Sequence, residues 1–257
     1  MPQHPLSSAF FDRDPQVVAC DLIGKVLCHR VEGIWLKAMI VETEAYYRGD
    51  KASHASLGWT AKRMALFMPP GTVYMYYARG GDSFNVSCAG EGNAVLVKAG
   101  IPHEHPPDPK STGENTGPEW MLETMHRLNP ATSGGRRPPH RLCSGQTLLC
   151  RALGLRVPDW DQKIVSSHPL RLLDVGLRPR LVIRTTRLGI PEGRDGHLPY
   201  RFVHEAHAAS ATKNPLLRGK LEGRDYQVLK PDSASPAGFS CQAWDGSHTP
   251  CHKETLS

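Results

Sequence analysis

The sequence predicts a mixed α+β domain rather than a doubly wound α/β domain. Strand-like segments outnumber helix-like ones, several of them follow one another at hairpin-like spacing, and no internal repeat is present. A doubly wound sheet would instead require a helical segment between most successive strands. The pattern therefore favours a sheet with a few flanking helices.

The individual elements follow from local composition. Six segments are strand-like, at residues 25–30, 36–46, 72–77, 93–99, 181–186 and 200–203. Three segments have helical signals, at residues 14–24, 119–128 and 144–153. The first helix is the best delimited, because Asp14 is a suitable N-cap, Pro15 suits the first helical position and Gly24 can end the helix.

Two regions lack this periodicity. Residues 102–119 are rich in Pro, Gly and charged residues, which predicts a flexible insertion. Beyond residue 205 the chain fills with Ser, Pro, Gly, His and Lys. We therefore predict one domain over residues 1–205, followed by a disordered or weakly ordered tail over residues 206–257.

Composition limits the functional class. The formal charge is +6, with 31 Lys and Arg against 25 Asp and Glu, which favours a polyanionic partner only weakly because many basic proteins never bind nucleic acid. No apolar run reaches 18 residues and no secretory signal is evident, so we expect a cytoplasmic protein without a membrane partner. Seven cysteines without a Cys-x-x-Cys pair are typical of reduced, buried thiols.

The sequence also lacks the motifs of several large enzyme classes. It contains no Gly-x-Gly-x-x-Gly, no Walker loop, no His-Glu-x-x-His and no Gly-x-Ser-x-Gly. The 13 histidines show no metal-ligand spacing. We therefore expect neither a metal nor a cofactor.

The strand at residues 36–46 carries an unusual acidic face. Alternation places Ala38, Ile40, Glu42, Glu44 and Tyr46 on one side of the strand. A carboxylate on a partly apolar face loses hydration, so its pKa is expected to rise towards the range of a general base. The alternative is a solvated edge face with two exposed glutamates.

Two further strands carry candidate site residues. Tyr74 and Tyr76 share a face, which suits ordinary packing as well as the stacking of a base removed from its duplex. Lys98 lies between apolar neighbours and is seldom buried there unless an acid such as Glu44 pairs with it. The alternative is a lysine at the strand end whose ammonium reaches solvent.

A basic loop precedes the third predicted helix. It contains Arg136, Arg137 and Arg141 and runs into the helix near Ser144 and Gly145. Such a loop can bind phosphate, because cationic side chains and free backbone N–H groups point at the anion. A solvated loop with an ordinary serine cap is the alternative.

Taken together and in order, these segments resemble the alkyladenine (3-methyladenine) DNA glycosylases over residues 8–205. The matching blocks are Ile40-Val41-Glu42-Thr43-Glu44-Ala45-Tyr46, Ala52-Ser53-His54, residues 68–76, Asn85, residues 122–125, Leu142-Cys143-Ser144-Gly145, residues 149–153 and Arg187-Leu188-Gly189-Ile190. The resemblance implies a single α+β domain with a mixed curved sheet or open barrel and flanking helices, like the formyltransferase C-terminal domain. It also implies a bacterial enzyme that hydrolyses the bond between a damaged purine and its sugar.

The resemblance assigns roles to individual positions. Glu44 matches the general base that activates water, with Lys98 and the carbonyl of Leu188 as further groups that hold this water. Tyr46 and Tyr76 match the aromatic residues that sandwich the flipped base.

Three more residues complete the implied pocket. His54 lies beside the base, and the backbone of Ala52 and His54 would contact its edge. Asn85 matches a residue that crowds the exocyclic group of normal guanine. No cofactor is implied, and the expected partner is double-stranded DNA with damaged purines, bound by a monomer.

The hairpin after residue 76 departs from the animal enzymes, which insert a tyrosine from this position into the duplex. Here the segment is one residue shorter and lacks that tyrosine. Arg79 is our candidate for the inserted residue, because a guanidinium plane stacks on bases, and Ala78 is the alternative.

Two other functions remain open from the sequence. The chain could be a non-catalytic nucleic-acid-binding module on the same fold, in which case binding would not require Glu44. It could also be an unrelated hydrolase of small molecules that uses Glu42 and Glu44, without salt-dependent affinity for DNA.

Overall fold

The structure is a computed structural model, and it describes residues 4–78, 80–104, 117–132, 134–166 and 168–231. Ten strands lie in these ranges: β1 (His4–Pro5), β2 (Val26–Val31), β3 (Ile34–Tyr46), β4 (Val73–Ala78), β5 (Gly81–Ser87), β6 (Ala94–Pro102), β7 (Leu170–Asp174), β8 (Val182–Thr185), β9 (Arg201–His204) and β10 (Tyr226–Leu229). The helices are α1 (Ser8–Phe11), α2 (Pro15–Asp21), α3 (Pro118–Leu128), α4 (Gln146–Ala152) and α5 (Val157–Trp160). Four 3₁₀ helices span His54–Leu57, Ala61–Phe67, Pro139–Arg141 and Glu205–Ser210.

The start of α2 shows how local sequence sets an element. Asp14 Oδ1 accepts hydrogen bonds from Gln16 N (2.8 Å) and Val17 N (3.4 Å), and Pro15 occupies the first turn. Gly24 follows with a φ of +86°, which an L side chain disfavours. The predicted cap is confirmed, whereas the helix ends at Asp21, three residues before the predicted end at Gly24.

The long strand β3 lies at the centre of one large sheet. The main strand order is β1-β7-β2-β3-β6-β5-β4, and β9 also pairs with β3 and continues to β8 and β10. Within the described residues every pairing between two strands is antiparallel, so the expectation of mixed strand orientation was wrong. A large antiparallel sheet with few helices confirms the α+β prediction at that level.

An irregularity in β3 falls at its acidic residues. The register between β3 and β6 shifts between Ile40 and Glu42 and again between Glu42 and Thr43. The same stretch pairs with β9, where Glu42 lies opposite Val203 and Glu44 opposite Arg201. Such bulges redirect side chains, and this one lies where β3 exchanges partners.

The main core lies where α2, α3 and α4 pack against the sheet. Its largest fully buried side chains include Phe11, Phe84, Phe202, Leu27 and Met125. Because these come from five separate elements, the core joins segments that are far apart in the sequence. Among the described helices, none combines the length and the hydropathy that a membrane span requires.

The segment after residue 205 differs from its prediction as a weakly ordered tail. Its 3₁₀ helix and β10 are described, and β10 pairs with β8 over four residues. Ala208, Ala211 and the side chain of Leu216 pack around Ile183 and Val203. Residues 232–257 and most of the predicted insertion, 105–116, lie outside the described residues. The proposed boundary at residue 205 stays a prediction.

Candidate active site

Glu44 lies on β3 with 0% of its surface exposed, and three groups donate to its carboxylate. Lys98 Nζ on β6 is 2.8 Å from Oε1, and the backbone N–H of Leu188 donates to the same oxygen at 3.1 Å. The hydroxyl of Tyr46 donates to Oε2 at 2.8 Å. The predicted pairing of Lys98 with Glu44 is therefore confirmed, and the alternative in which Lys98 reaches solvent was wrong, since Lys98 is 7% exposed.

These donors decide the charge of Glu44. Burial alone raises the pKa of this carboxyl, but the charge of Lys98, its hydrogen bond and the donors Leu188 and Tyr46 outweigh burial and lower the pKa below 4.5. The expected upward shift was therefore wrong. The sequence showed the apolar face but not the number of donors that converge on the carboxylate.

Glu42 is also fully buried, so the alternative of a solvated acidic face was wrong. Arg201 Nε donates to its Oε1 at 2.6 Å, and the backbone N–H of Thr212 donates to its Oε2 at 2.7 Å. Neither Arg201 nor Thr212 is among the three groups that donate to Glu44. The two carboxylates of the strand thus have separate partners.

A cavity of about 370 Å³ opens beside Glu44, within the range of roughly 300–1,000 Å³ that is usual for ligand pockets. Three of the residues that line it are the donors Lys98, Tyr46 and Leu188, so Glu44 is joined to the cavity through them. All predicted pocket residues lie in its wall, namely Tyr46, Ala52, His54, Tyr76 and Asn85.

The cavity wall is aromatic on one side. The rings of His54 and Tyr76 have centroids 4.5 Å apart, and Tyr74 lies 5.6 Å from Tyr76. His54 Nδ1 is 2.9 Å from the hydroxyl of Tyr74, and Asn85 Nδ2 donates to the carbonyl of Tyr74 at 3.0 Å. These contacts hold His54 and Asn85 against the cavity.

The charge of His54 follows from its surroundings. Burial lowers the pKa of its imidazole below 6.5, and the cations Arg63 and Arg194 lower it further. Arg194 itself lines the cavity. The imidazole is therefore neutral near pH 7.

A buried ion pair that was not predicted from the sequence contacts Tyr46 of the cavity wall. Arg187 bonds to Asp50 and donates to the carbonyl of Ala45 at 3.1 Å. Its guanidinium carbon lies 4.6 Å from the ring centroid of Tyr46. Asp50 also accepts from the N–H of Ala52 at 2.9 Å, so this donor is already engaged. The resemblance included Arg187, but nothing local in the sequence showed its contact with Asp50.

The β4–β5 hairpin lies against α4. Ala78 pairs with Gly81, and Arg151 donates to the carbonyl of Gly80 at 2.7 Å. A Cβ built on Gly81 would lie 2.1 Å from Thr147 Cγ2. Arg79, the candidate inserted residue, lies outside the described residues, and Ala78 is described only by its backbone.

The predicted basic loop is engaged within the protein. Arg136 forms an exposed ion pair with Glu123, and Arg137 donates to Pro130 O at 3.4 Å. Arg141 donates to the carbonyls of Ala209 and Ala211, which no local pattern could show.

The predicted residues at the start of the helix lie beside the same segment. Ser144 is buried and its hydroxyl also donates to the carbonyl of Ala211, at 3.0 Å, rather than capping α4. Gly145 has a φ of +121° and precedes α4. The loop and the segment 209–213 therefore form one surface.

Cysteine and metal chemistry find no support in the described ranges. They contain no group of three His, Cys, Asp or Glu residues that could hold a metal ion. Five cysteines are buried and free, and burial raises the pKa of the thiols of Cys28 (to about 12), Cys143 and Cys150. Cys241 and Cys251 lie outside the described residues.

The fold and the site thus define an α+β protein with a buried anionic group beside an aromatic-lined cavity. The sequence profile of the methylpurine-DNA glycosylases matches residues 9–208. The chain therefore belongs to the methylpurine-DNA glycosylase family and is a DNA glycosylase, as its resemblance predicted.

Relatives agree with this assignment. A protein of Pseudomonas syringae pv. tomato named "Putative 3-methyladenine DNA glycosylase" is 55% identical over 224 residues, which cover 87% of this chain and 96% of that protein. A Pseudomonas aeruginosa protein of the same name is 54% identical over 88% of this chain and 90% of its own length. A third, from Koribacter versatilis, is 35% identical over 77% of this chain and 89% of that protein.

Proposed function

We propose that the protein excises alkylated purines, 3-methyladenine foremost, from double-stranded DNA in base-excision repair. A nucleotide rotates out of the duplex into the cavity, and water attacks its C1′ in one step while the base departs. The observation that supports this proposal most strongly is the Glu44 carboxylate, kept anionic by Lys98, Leu188 N and Tyr46. These three groups also line the cavity.

The low pKa of Glu44 suits a late proton transfer. Breaking the N-glycosidic bond leaves positive charge on the sugar, which the buried carboxylate stabilises electrostatically. The attacking water becomes acidic only as its oxygen bonds to C1′, and its proton then passes to Glu44. Lys98 positions the carboxylate and the water; it is not a nucleophile.

The aromatic wall suits a cationic base. Tyr46 and Tyr76 would stack on the flipped purine, and a methylated, positively charged ring gains a cation–π attraction that a normal base lacks. Such a base also leaves as a neutral molecule and needs no general acid. These features favour 3-methyladenine and 7-methylguanine over hypoxanthine, which must be protonated first.

The remaining wall groups would supply selectivity. Asn85 is held by Tyr74 O and would crowd the exocyclic amine of guanine. Ala52 and His54 line the cavity, where their backbone would contact the base edge, although the N–H of Ala52 already donates to Asp50. We further propose that the fold resembles the formyltransferase C-terminal domain. We also propose that the protein acts on DNA as a monomer in the cytoplasm.

The decisive experiment replaces Glu44 with Gln and measures the release of 3-methyladenine from methylated duplex DNA. The E44Q variant should release no base but still bind a lesion-containing duplex. Glu32→Gln, which alters an exposed glutamate paired with Arg127, is the matched control and should retain activity. Full turnover by E44Q would refute the role of Glu44.

Two further outcomes separate the alternatives. Unaltered DNA binding by a wild-type protein that releases no base would support the non-catalytic module. Covalent capture of the DNA on Lys98 by borohydride would overturn the single-step mechanism, because only an imine between protein and sugar is reduced in this way.

A further inference from the structure

Glu42, the other carboxylate of the Val41–Tyr46 stretch beside Glu44, takes no part in the proposed chemistry. Its two oxygens are occupied by Arg201 Nε and by the backbone N–H of Thr212, at 2.6 and 2.7 Å. Arg201 Nη2 in turn donates to the carbonyl of Lys213 at 2.5 Å. The buried pair thus holds the backbone of two consecutive residues, Thr212 through its N–H and Lys213 through its carbonyl.

This arrangement costs the protein the desolvation of two charges. Glu42 is 0% exposed and Arg201 is 2% exposed, and burying such a pair stabilises a fold poorly compared with apolar packing. What the pair provides is position: two hydrogen bonds fix the backbone of a surface segment that carries an exposed Thr212 and an exposed Lys213. The location of this segment therefore indicates what the buried pair serves to position.

The segment lies beside the cavity. Ser144 and Arg141 both donate to Ala211 O, and a Cβ built on Gly145 would lie 3.8 Å from Thr212 Oγ1. The next residue, Gln146, lines the cavity. Thr212 and Lys213 are thus separated from the cavity wall by little more than one residue of the loop before α4.

The charge of this surface is not neutralised. In the described part of the chain, neither Lys213 nor the exposed Arg218 forms an ion pair. By contrast, Lys220 and Arg224 of the same loop both bond to Asp225. An unpaired ammonium on a backbone held beside a cavity suits an anion that lies along the surface, and a phosphodiester of DNA is such an anion.

We propose that Lys213, positioned by the Glu42–Arg201 pair, binds a backbone phosphate of the DNA whose nucleotide enters the cavity. This inference rests on the proposed function only in taking DNA as the ligand. It assigns Glu42 as a positioning residue and extends the DNA surface beyond the basic loop to residues that the sequence predicted as tail.

The first test is Lys213→Ala, with the affinity for undamaged duplex DNA measured from low to high salt. Loss of one phosphate contact should reduce the slope of log K against log salt by about 0.9, and the affinity at 0.1 M salt should fall by about tenfold. Arg127→Ala is the matched control. Arg127 pairs with Glu32, which lies ten residues before Glu42 in the turn that precedes β3. Ten residues of extended strand span roughly 30 Å, so Arg127 is far from the Glu42–Arg201 pair.

An unchanged salt slope in K213A would overturn the inference. So would a drop of more than tenfold in the single-turnover rate at saturating DNA, since Lys213 would then act in the chemical step and not in docking.

The second test addresses the buried pair through a double-mutant cycle. In a Glu42→Gln background, adding Lys213→Ala should cost less than about threefold in affinity, because the segment is no longer held. The same tenfold loss in both backgrounds would refute positioning by Glu42. If E42Q does not fold, Thr212→Pro removes the N–H donated to Glu42 without leaving Arg201 unpaired and provides the same comparison.

The outcomes also separate this inference from the proposed function. If the wild type releases base and K213A binds DNA as the wild type does, only the proposed phosphate contact of Lys213 is refuted. A wild type that releases no base but loses affinity in K213A refutes the glycosylase mechanism and leaves the docking site standing.

Discussion

At the scale of single residues, we expect the ion pair between Glu44 and Lys98 to set the lower pH limit of activity. We expect no acid limb from Glu44 in the wild-type rate above about pH 4.5, since its folded pKa lies below that value. In Lys98→Met the opposing effect of burial remains without its counter-ion, so the pKa of Glu44 rises. Activity requires the carboxylate, and it should therefore be lost at a higher pH than in the wild type.

The measurement is the single-turnover rate of base release from pH 4 to 9, beside thermal unfolding of both proteins. Removing one partner of a buried pair should also destabilise K98M by about 3–5 kcal/mol at neutral pH. Protonation of Glu44 relieves part of this loss as the pH falls. Superimposable pH profiles would show that Lys98 does not control the charge of Glu44.

The proposed mechanism gives Tyr46 two functions that substitution can separate. Tyr46→Phe keeps the ring and removes the hydroxyl that donates to Glu44, so lesion affinity should be kept while the single-turnover rate falls by about tenfold, roughly 1.4 kcal/mol. Tyr46→Ala should lose about 1–3 kcal/mol of lesion binding as well, because stacking is lost. Equal affinity losses in both variants would contradict a stacking role.

Part of the site followed from the sequence and part did not. Alternation and the order of motifs indicated Glu44 and its pairing with Lys98, because both lie on strands with clear patterns. The partner of Glu42 could not be predicted, since Arg201 and Thr212 lie more than 150 residues away and approach only through the β3–β9 ladder. The contact of Arg187 with Asp50 could not be predicted either, because the two residues lie 137 positions apart.

At the scale of elements, the β4–β5 hairpin depends on close packing against α4. In Gly81→Ala the new Cβ would lie 2.1 Å from Thr147 Cγ2, so the hairpin must move away from the helix. We expect weaker excision from duplex DNA, because the residue proposed to insert into the duplex lies in this hairpin, and little change on single-stranded DNA. Adding Thr147→Gly should restore part of the duplex activity.

The matched control for this prediction is Gly49→Ala, where a Cβ meets nothing within 4 Å. Activities of G81A, G81A/T147G and G49A on both kinds of DNA can be compared in one release assay. Equal losses on duplex and single strands would show that the hairpin does not act in opening the duplex.

Elements with a strong local signal were predicted well. The helix α2 has its cap, its proline and the glycine that follows it within one short segment, and β3 and β6 are long strands, of 13 and 9 residues, with mostly apolar sequences. Strands β1, β5, β7 and β10 were missed. β7 is only five residues long and its Leu-Arg-Leu-Leu-Asp does not alternate fully, while all four residues of β10 are half-buried and become a strand only by pairing with β8.

At the scale of the whole molecule, the contacts of residues 206–231 connect the end of the described chain to its centre. The N–H of Thr212 binds Glu42 on β3, and β10 covers β8. Leu216, Tyr226 and Val228 pack on the cluster around Ile183 and Val203. These contacts join the segment to the strand that carries Glu44, so stability and the site should respond together to its removal.

We therefore expect a chain that ends at residue 205 to be less stable than one that ends at residue 231. Loss of the charged hydrogen bond to Glu42 and exposure of the apolar cluster should cost at least about 3 kcal/mol. For a chain of this length that lowers the Tm by roughly 6–12 °C. Thermal unfolding by circular dichroism compares the two chains directly, with base release as the second readout. An equal Tm and equal activity would instead support a catalytic domain that is complete at residue 205.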